Sequence, residues 1–251
     1  MLCSDVSCGY EARTRSRHFL SNAPWAAGTL EPWKFDLSRT RYFLHKERRM
    51  ILTINPKNPQ IRLIRKVVEV LQEGGVIGYP TDTIYGVGCD LFNPEAIRKI
   101  HRLKKREGKK PLSFICSGLK DISKYAYVSN YAYKMMKHLL PGPYTFILKA
   151  TKLVPKIAQT KQNTVGIRIP DNRICLTLVK ELGNPIISTS VNRADEGLYN
   201  DPQEIEERFG KQLDLVIDGG VIVAEHSSII DLTEEVPKVI RKGKGEISLF
   251  E

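Results

Sequence analysis

No uninterrupted apolar run in the 251-residue chain approaches the roughly 18 to 20 residues that cross a bilayer, so no helical membrane span is expected. Cysteine is scarce and odd in number: Cys3, Cys8, Cys89, Cys116 and Cys175. None forms a C-x-x-C pair, and no histidine stands at ligand spacing from them. Neither a disulfide scaffold nor a structural zinc site is expected, and a reducing, cytoplasmic setting fits. Cys175, inside Ile174-Cys175-Leu176, reads as a buried small hydrophobe rather than a nucleophile. Several catalytic signatures are also missing. There is no G-x-x-x-x-G-K-[ST] loop, Gly86-x-Gly88 lacks the third glycine of a dinucleotide fingerprint, and no G-x-S-x-G elbow occurs. The five histidines form no metal pair and belong to no deaminase signature. A nucleotide user with this sequence must hold phosphate through cationic side chains and loop amides.

What is present is positive charge: 39 Lys and Arg against 28 Asp and Glu, a formal net charge of +11. Such an excess favours anionic partners such as nucleotide phosphates, RNA or a ribosomal surface. With 41% hydrophobic residues the chain can bury a core, and its length suits one or two domains. The first 49 residues hold both tryptophans, Trp25 and Trp33, and show no sustained periodicity. Their scattered acids, Asp5 to Glu47, argue against an organelle-targeting segment, and there is no secretory apolar core. We expect an N-terminal extension over 1–49 and one domain over 50–251, with Met50 near the natural start.

From Met50 helix and strand patterns alternate. Ile61, Ile64, Val67, Val68 and Leu71 recur at helical spacing, and Gly74-Gly75 supplies a stop. Val76–Tyr79 reads as a buried strand, and Asn93-Pro94 as a capped helix start. Further strands are expected at Leu112–Cys116, Tyr144–Leu148, Val165–Ile169, Pro185–Ser188, Leu213–Ile217, Ser228–Leu232 and Val236–Ile240. Helices are expected at Asn130–Leu140, Asn172–Leu182 and Pro202–Phe209. The alternation implies an α/β fold with a mixed sheet.

Four segments carry more polar chemistry than a core requires. Pro80-Thr81-Asp82-Thr83-Ile84-Tyr85-Gly86-Val87-Gly88 follows a buried strand, where open sheets bind ligands, or forms an ordinary Gly-x-Gly bend. Lys104-Lys105-Arg106-Glu107-Gly108-Lys109-Lys110 packs five cations into seven residues at a helix end. The helix dipole favours each by only about 0.3–1 kcal/mol, and together they repel unless an anion sits among them. Ser188-Thr189-Ser190-Val191-Asn192 ends a strand pattern with three hydroxyls and an amide, or caps a helix there. Ser227-Ser228 and Arg241 flank two strand patterns separated by Thr233-Glu234-Glu235, so a hairpin would bring them together.

In PTDTIYGVG, KKREGKKPLS, PGPYTFILK, TVGIRIP, STSVN, SSIIDLT and VIRKG the chain resembles the YrdC-like family, which includes L-threonylcarbamoyladenylate synthases. INPKNPQ and DPQEIEERFGKQLDLVIDGG look closest to its YciO-like subgroup. The resemblance implies a twisted mixed α/β sheet with flanking helices enclosing a large basic cavity. It implies an enzyme, a nucleotidyltransferase that joins L-threonine, bicarbonate and ATP into threonylcarbamoyl-AMP and diphosphate. A partner transferase would use that product on adenosine 37 of tRNA, and Mg2+ would arrive bound through ATP, with no dedicated protein metal site. Carried over position by position, Lys104 and Arg106 would be catalytic, and Lys104, Arg106, Lys110, Thr164, Ser190, Asn192 and Arg241 would bind ATP. Thr83, Arg168, Ser188 and Ser228 would bind threonine. Positioning and charge neutralisation suffice for this chemistry without a covalent enzyme intermediate. Two alternatives use the same fold: a protein that binds double-stranded RNA, tRNA or the ribosome, and a YciO-like enzyme acting on a related acyl-adenylate.

Overall fold

Polar caps and glycine stops set the helix ends, and runs of β-branched residues set the strands. A computed structural model describes residues 51–104, 112–191 and 197–250. The extension over 1–49 and the site candidates Arg106, Lys110 and Asn192 lie outside them. The chain opens with β1 (Ile51–Thr53), then α1 (Ile61–Gln72), β2 (Ile77–Tyr79) and β3 (Gly86–Asp90). Next come α2 (Pro94–Leu103), β4 (Ser113–Ile115), α3 (Leu119–Tyr125), β5 (Ala126–Tyr127) and α4 (Asn130–Leu139). The remainder is β6 (Tyr144–Ala150), β7 (Thr164–Arg168), α5 (Arg173–Leu182), β8 (Ile186–Ser190), α6 (Pro202–Phe209), β9 (Leu215–Asp218), β10 (Ser228–Asp231) and β11 (Lys238–Arg241).

The capping chemistry is local and specific. Asn93 Oδ1 accepts from Ala96 N at 3.0 Å, Ser129 Oγ from Ala132 N at 3.1 Å and Asn172 Oδ1 from Cys175 N at 3.1 Å. Each satisfies a backbone donor that a helix start leaves unpaired. Gly74 just beyond α1 and Gly183 at the end of α5 take φ of +81° and +78°, where a side chain would be strained.

The strands form one mixed sheet in the order β1-β9-β2-β3-β8-β4-β7-β6-β10-β11, with β5 added on β6. Pairings β1·β9, β2·β9, β4·β7 and β6·β10 are parallel; β2·β3, β3·β8, β4·β8, β6·β7 and β10·β11 are antiparallel. The expected mixed α/β architecture is therefore present. On one face Phe114, Phe146, Ile167, Ile187 and Ile230 join a large apolar core with residues of α2, α4 and α6. On the other, α1 and α5 bury Ile77, Tyr79, Ile115, Ile186, Leu215 and Ile217.

Successive strand residues face opposite ways, so Ser188 shares the face of Ile186, Ser113 that of Ile115, and Gly166 that of Arg168. That second face is thus apolar beneath α1 and α5 and turns to hydroxyls and glycine farther along the strands. The register aligns the small residues: Ser188 lies opposite Ser113, and Ser113 opposite Gly166. Farther across, Thr145 lies opposite Ile229, and Ile229 opposite Arg241.

One expectation is corrected. Gly86 and Gly88 do not form a bend; both lie inside β3, near the middle of the sheet. A Cβ on Gly88 would come within 2.9 Å of Tyr79 Cε1 and 2.5 Å of Ile186 Cγ2. The glycines make room for a buried tyrosine ring and thereby mask the strand in the sequence pattern.

Candidate active site

The polar stretch of the second sheet face is a hollow of about 150 Å³. That is half of the ~300 Å³ at the low end of drug-sized pockets, a space of small-metabolite scale. Hydroxyls dominate its wall: Thr81, Ser113, Thr145, Ser188, Thr189, Ser190 and Ser227, with Ile84 and Ile229 as its apolar side chains. Among the described residues its charged groups are Arg168 and Arg241, and none of the lining residues is a carboxylate.

Arg168 ends β7 and is 8% exposed. Its Nη2 donates to Asp82 Oδ1 and to Thr83 Oγ1, both at 2.9 Å. Asp82 Oδ2 also accepts from Asp171 N at 3.1 Å, so this carboxylate is already engaged by the loop after β7. Arg168 Nε is buried and has no hydrogen-bond partner. Burying a donor without a partner costs on the order of 1–3 kcal/mol, and more for a charged group. The guanidinium is among the groups that line the hollow, where a buried cation favours an anionic acceptor.

Around it the hydroxyls are oriented by their neighbours. Thr81 Oγ1 accepts from Thr83 N at 3.1 Å and Ile84 N at 3.2 Å, tightening the loop that presents Thr83 to Arg168. Tyr79 Oη donates to Ser188 Oγ at 2.5 Å. Burial pushes the Tyr79 phenol far above its ordinary range, so it remains a donor, and the Ser188 hydrogen is left to be given elsewhere. Across the sheet, Arg241 Nε and Nη2 donate to Ser227 O at 3.1 and 2.8 Å, and Nη2 also reaches Ser227 Oγ at 3.2 Å. Ser227 Oγ in turn bonds Thr145 Oγ1 at 2.9 Å. Burial first, and then the Arg168 charge, pull the Arg241 pKa down. Burial and Arg241 likewise lower the pKa of His226, another lining residue. These shifts describe a site with positive charge in excess.

The hairpin of β10 and β11 thus brings Arg241 to Ser227, as the spacing suggested. The structure also gathers Arg168, Ser188, Ser190 and Arg241 in the lining, with Thr83 directly behind Arg168. Lys104, at the end of α2, is 8% exposed, and its Nζ donates to Ser190 O at 2.9 Å. Two candidates are placed differently. Ser228 is fully buried and points away from the hollow: its Oγ donates to Gly245 O at 2.6 Å and accepts from Gly243 N at 3.0 Å. The neighbouring Ser227 takes the lining position, because alternation along a strand sends successive side chains to opposite sides. Thr164, at the far end of β7 from Arg168, pairs its Oγ1 with Thr160 Oγ1 at 2.7 Å and is not in the lining. Sequence reasoning also missed Ser113, Thr145 and Tyr79, whose contributions depend on cross-strand register. Cys175 is buried, with its Sγ donating to Pro80 O at 3.0 Å, and burial pushes its thiol pKa far up. It is a packing residue.

A family model for Sua5/YciO/YrdC, described as telomere recombination, matches residues 69–243. The chain belongs to the Sua5/YciO/YrdC family. It is 42% identical over 199 residues to the Escherichia coli (strain K12) protein named uncharacterized protein YciO, covering 78% of this chain and 97% of that one. The crystal structure of E. coli YciO superposes with a TM-score of 0.77 at 40% identity, over 80% of this chain and 99% of that one. A Methanocaldococcus jannaschii relative named putative threonylcarbamoyl-AMP synthase is 36% identical over 71% of this chain and 86% of its own length. P. abyssi Sua5, solved in complex with L-threonine, matches with a TM-score of 0.73 at 27% identity, over 77% of this chain and 57% of that one. The Sua5/YciO/YrdC fold is therefore shared with proteins named as enzymes and with YciO.

Proposed function

We propose that this chain is a threonylcarbamoyl-AMP synthase, converting L-threonine, bicarbonate and ATP to threonylcarbamoyl-AMP and diphosphate. The observation that carries the reading is Arg168, a buried guanidinium that lines a hydroxyl-rich hollow of amino-acid scale. It suits a carboxylate, and Thr83, Thr81 and Ser188 surround it with further hydrogen-bonding groups. The L-threonine complex of P. abyssi Sua5 agrees with that class of ligand.

In the proposed reaction the threonine amine and bicarbonate give a carbamate with loss of water. A carbamate oxygen then forms a bond to the α-phosphorus of ATP as the bond to diphosphate breaks. Both reactants are anionic, and the site's own residues oppose their repulsion. Arg168 is assigned to the amino-acid carboxylate, and Arg241 and Lys104 are assigned to the phosphate charge. Arg106 and Asn192, two residues beyond Lys104 and Ser190 in sequence, are assigned to the same nucleotide, with Lys110. Positioning and charge neutralisation of this kind supply several kcal/mol. Mg2+ is assigned to the ATP phosphates, and the product to a tRNA-modifying transferase acting at adenosine 37. A second reading, a YciO-like enzyme on a related acyl-adenylate, is favoured by the 42% identity to YciO against 36% to the M. jannaschii synthase.

The test is incubation of the full chain with ATP, bicarbonate and labelled L-threonine, followed by detection of the adenylate. Labelled adenylate with matching diphosphate supports synthesis. Adenylate formed only when another amino or acyl acceptor is supplied supports the second reading. No adenylate with any acceptor contradicts both.

A further inference from the structure

Asp82 stands between Thr81 and Thr83 in the loop from β2 to β3 and is not among the residues that line the hollow. It is nevertheless tied to several other parts of the chain. Its Oδ1 accepts from Nη2 of Arg168, at the end of β7, at 2.9 Å, and its Oδ2 accepts from Asp171 N, just beyond that strand, at 3.1 Å. Its main-chain O accepts from Lys244 Nζ at 2.6 Å, in the segment that follows β11 and Arg241. The next residue is fastened as well, since Glu225 N donates to Thr83 O at 3.2 Å.

We propose that Asp82 is a positioning residue, which fixes the direction in which Arg168 meets the carboxylate of a small amino acid and touches no ligand itself. The inference rests on the reading that Arg168 receives that carboxylate. Of the guanidinium's N–H groups, both on Nη2 are committed, one to Asp82 Oδ1 and the other to Thr83 Oγ1. Two bonds from one nitrogen set the plane of the fork, so its remaining N–H groups keep a single orientation. The side chains of Arg168 and Asp82 are 9% and 8% exposed. For a pair buried so far, desolvation offsets much of the mutual attraction, and the pair is weak evidence for stability. What it supplies here is alignment. A hydroxyl at position 82 could not bridge the two donors that the carboxylate joins, Arg168 Nη2 and Asp171 N. Lys244 holds the same residue through its main chain, so the guanidinium cannot turn with Asp82 unless contacts to the segments after β7 and β11 break.

Charge and alignment make opposite predictions. A carboxylate beside Arg168 repels a ligand carboxylate, so by charge alone Asp82→Asn would tighten threonine binding. Alignment requires the reverse, because an amide has one acceptor oxygen and would turn its NH2 against either Arg168 or Asp171. The experiment is calorimetric titration of the full chain with L-threonine and, separately, with ATP. Asp82→Asn should bind threonine at least about fivefold more weakly. Its affinity for ATP, which is assigned to other cations, should stay within about twofold of the parent's. With Arg168→Ala already present, adding Asp82→Asn should cause no further loss, since a residue that acts through Arg168 then has nothing to orient. Lys244→Met removes an exposed tether and should also weaken threonine binding, which keeps the test decisive should Asp82→Asn fail to fold. A parent chain that binds no threonine contradicts the Arg168 assignment and this inference together. When the parent does bind it, three results overturn this inference alone: equal or tighter threonine binding by Asp82→Asn, an equal loss without Arg168, or a parallel fall in ATP affinity. Where Asp82→Asn does not fold, unchanged threonine affinity in Lys244→Met overturns it.

Discussion

Tyr79 shows how one buried hydroxyl sets the chemistry of another. Its Oη donates to Ser188 Oγ, and burial keeps the phenol protonated, so Ser188 is held as a donor. Tyr79→Phe should cost about 0.5–1.5 kcal/mol, the usual value of one hydrogen bond, measured by urea unfolding, while the sheet is retained. It should also weaken ligand binding in the hollow, since Ser188 would no longer be fixed. His226 offers a pH-dependent test. Its pKa is lowered by burial and then by Arg241, so the folded state binds its proton less readily than the unfolded chain. The stability tied to neutral His226 is present above the unfolded value, about 6.5, and is lost as pH falls toward the folded one. His226→Gln should therefore gain on the parent between pH 7.5 and about 5.5, read from denaturation curves at each pH. A constant difference between the two proteins would contradict the placement of His226 beside Arg241.

At the scale of elements, helices were legible because caps and periodicity are written locally. Asn93, Ser129, Asn172 and Asp201 cap helices through their own side chains, and α6 spans Pro202–Phe209 as its pattern predicts. Strand β3 was not legible, since Gly86 and Gly88 oppose strand propensity and their reason lies across the sheet in Tyr79. α3 was missed because a seven-residue helix shows too little periodicity. Two glycines separate packing from site. Gly88→Ala would drive a Cβ to 2.7 Å from Ile187 O, so it should destabilise the fold by about 1–3 kcal/mol or more. Gly166→Ala would instead place a methyl 3.2 Å from Ser113 Oγ and 3.1 Å from Thr145 Cγ2, against two side chains that line the hollow. It should weaken small-ligand binding more than it lowers the unfolding midpoint. The opposite ranking of the two variants would contradict the register that builds the site.

For the molecule as a whole, the sequence showed the positive charge but not its division. Its motifs pointed to Arg168, Ser190 and Arg241, which lie far apart in the chain and meet because β7, β8 and β11 belong to one sheet. It did not show that Ser227 rather than Ser228 would line the hollow, since a one-residue change in strand phase reverses the face. Nor did it show that Ser113 and Gly166 would line up across β4 and β7, because register is a property of paired strands. Burial holds the thiols of Cys89, Cys116 and Cys175 above their ordinary range, Cys116 at about 12. All three should resist a thiol reagent in the native protein and react on unfolding.

The central claim is that Arg168 receives the carboxylate of a small amino acid. Calorimetric titration of the unmodified chain with L-threonine and with L-threoninol, which lacks the carboxylate, tests it most directly because no substitution can disturb the fold. The account predicts that threonine binds and that threoninol binds at least about tenfold more weakly, as loss of one charge-assisted hydrogen-bonded contact requires. Equal affinity for the two, or binding of neither, would contradict it.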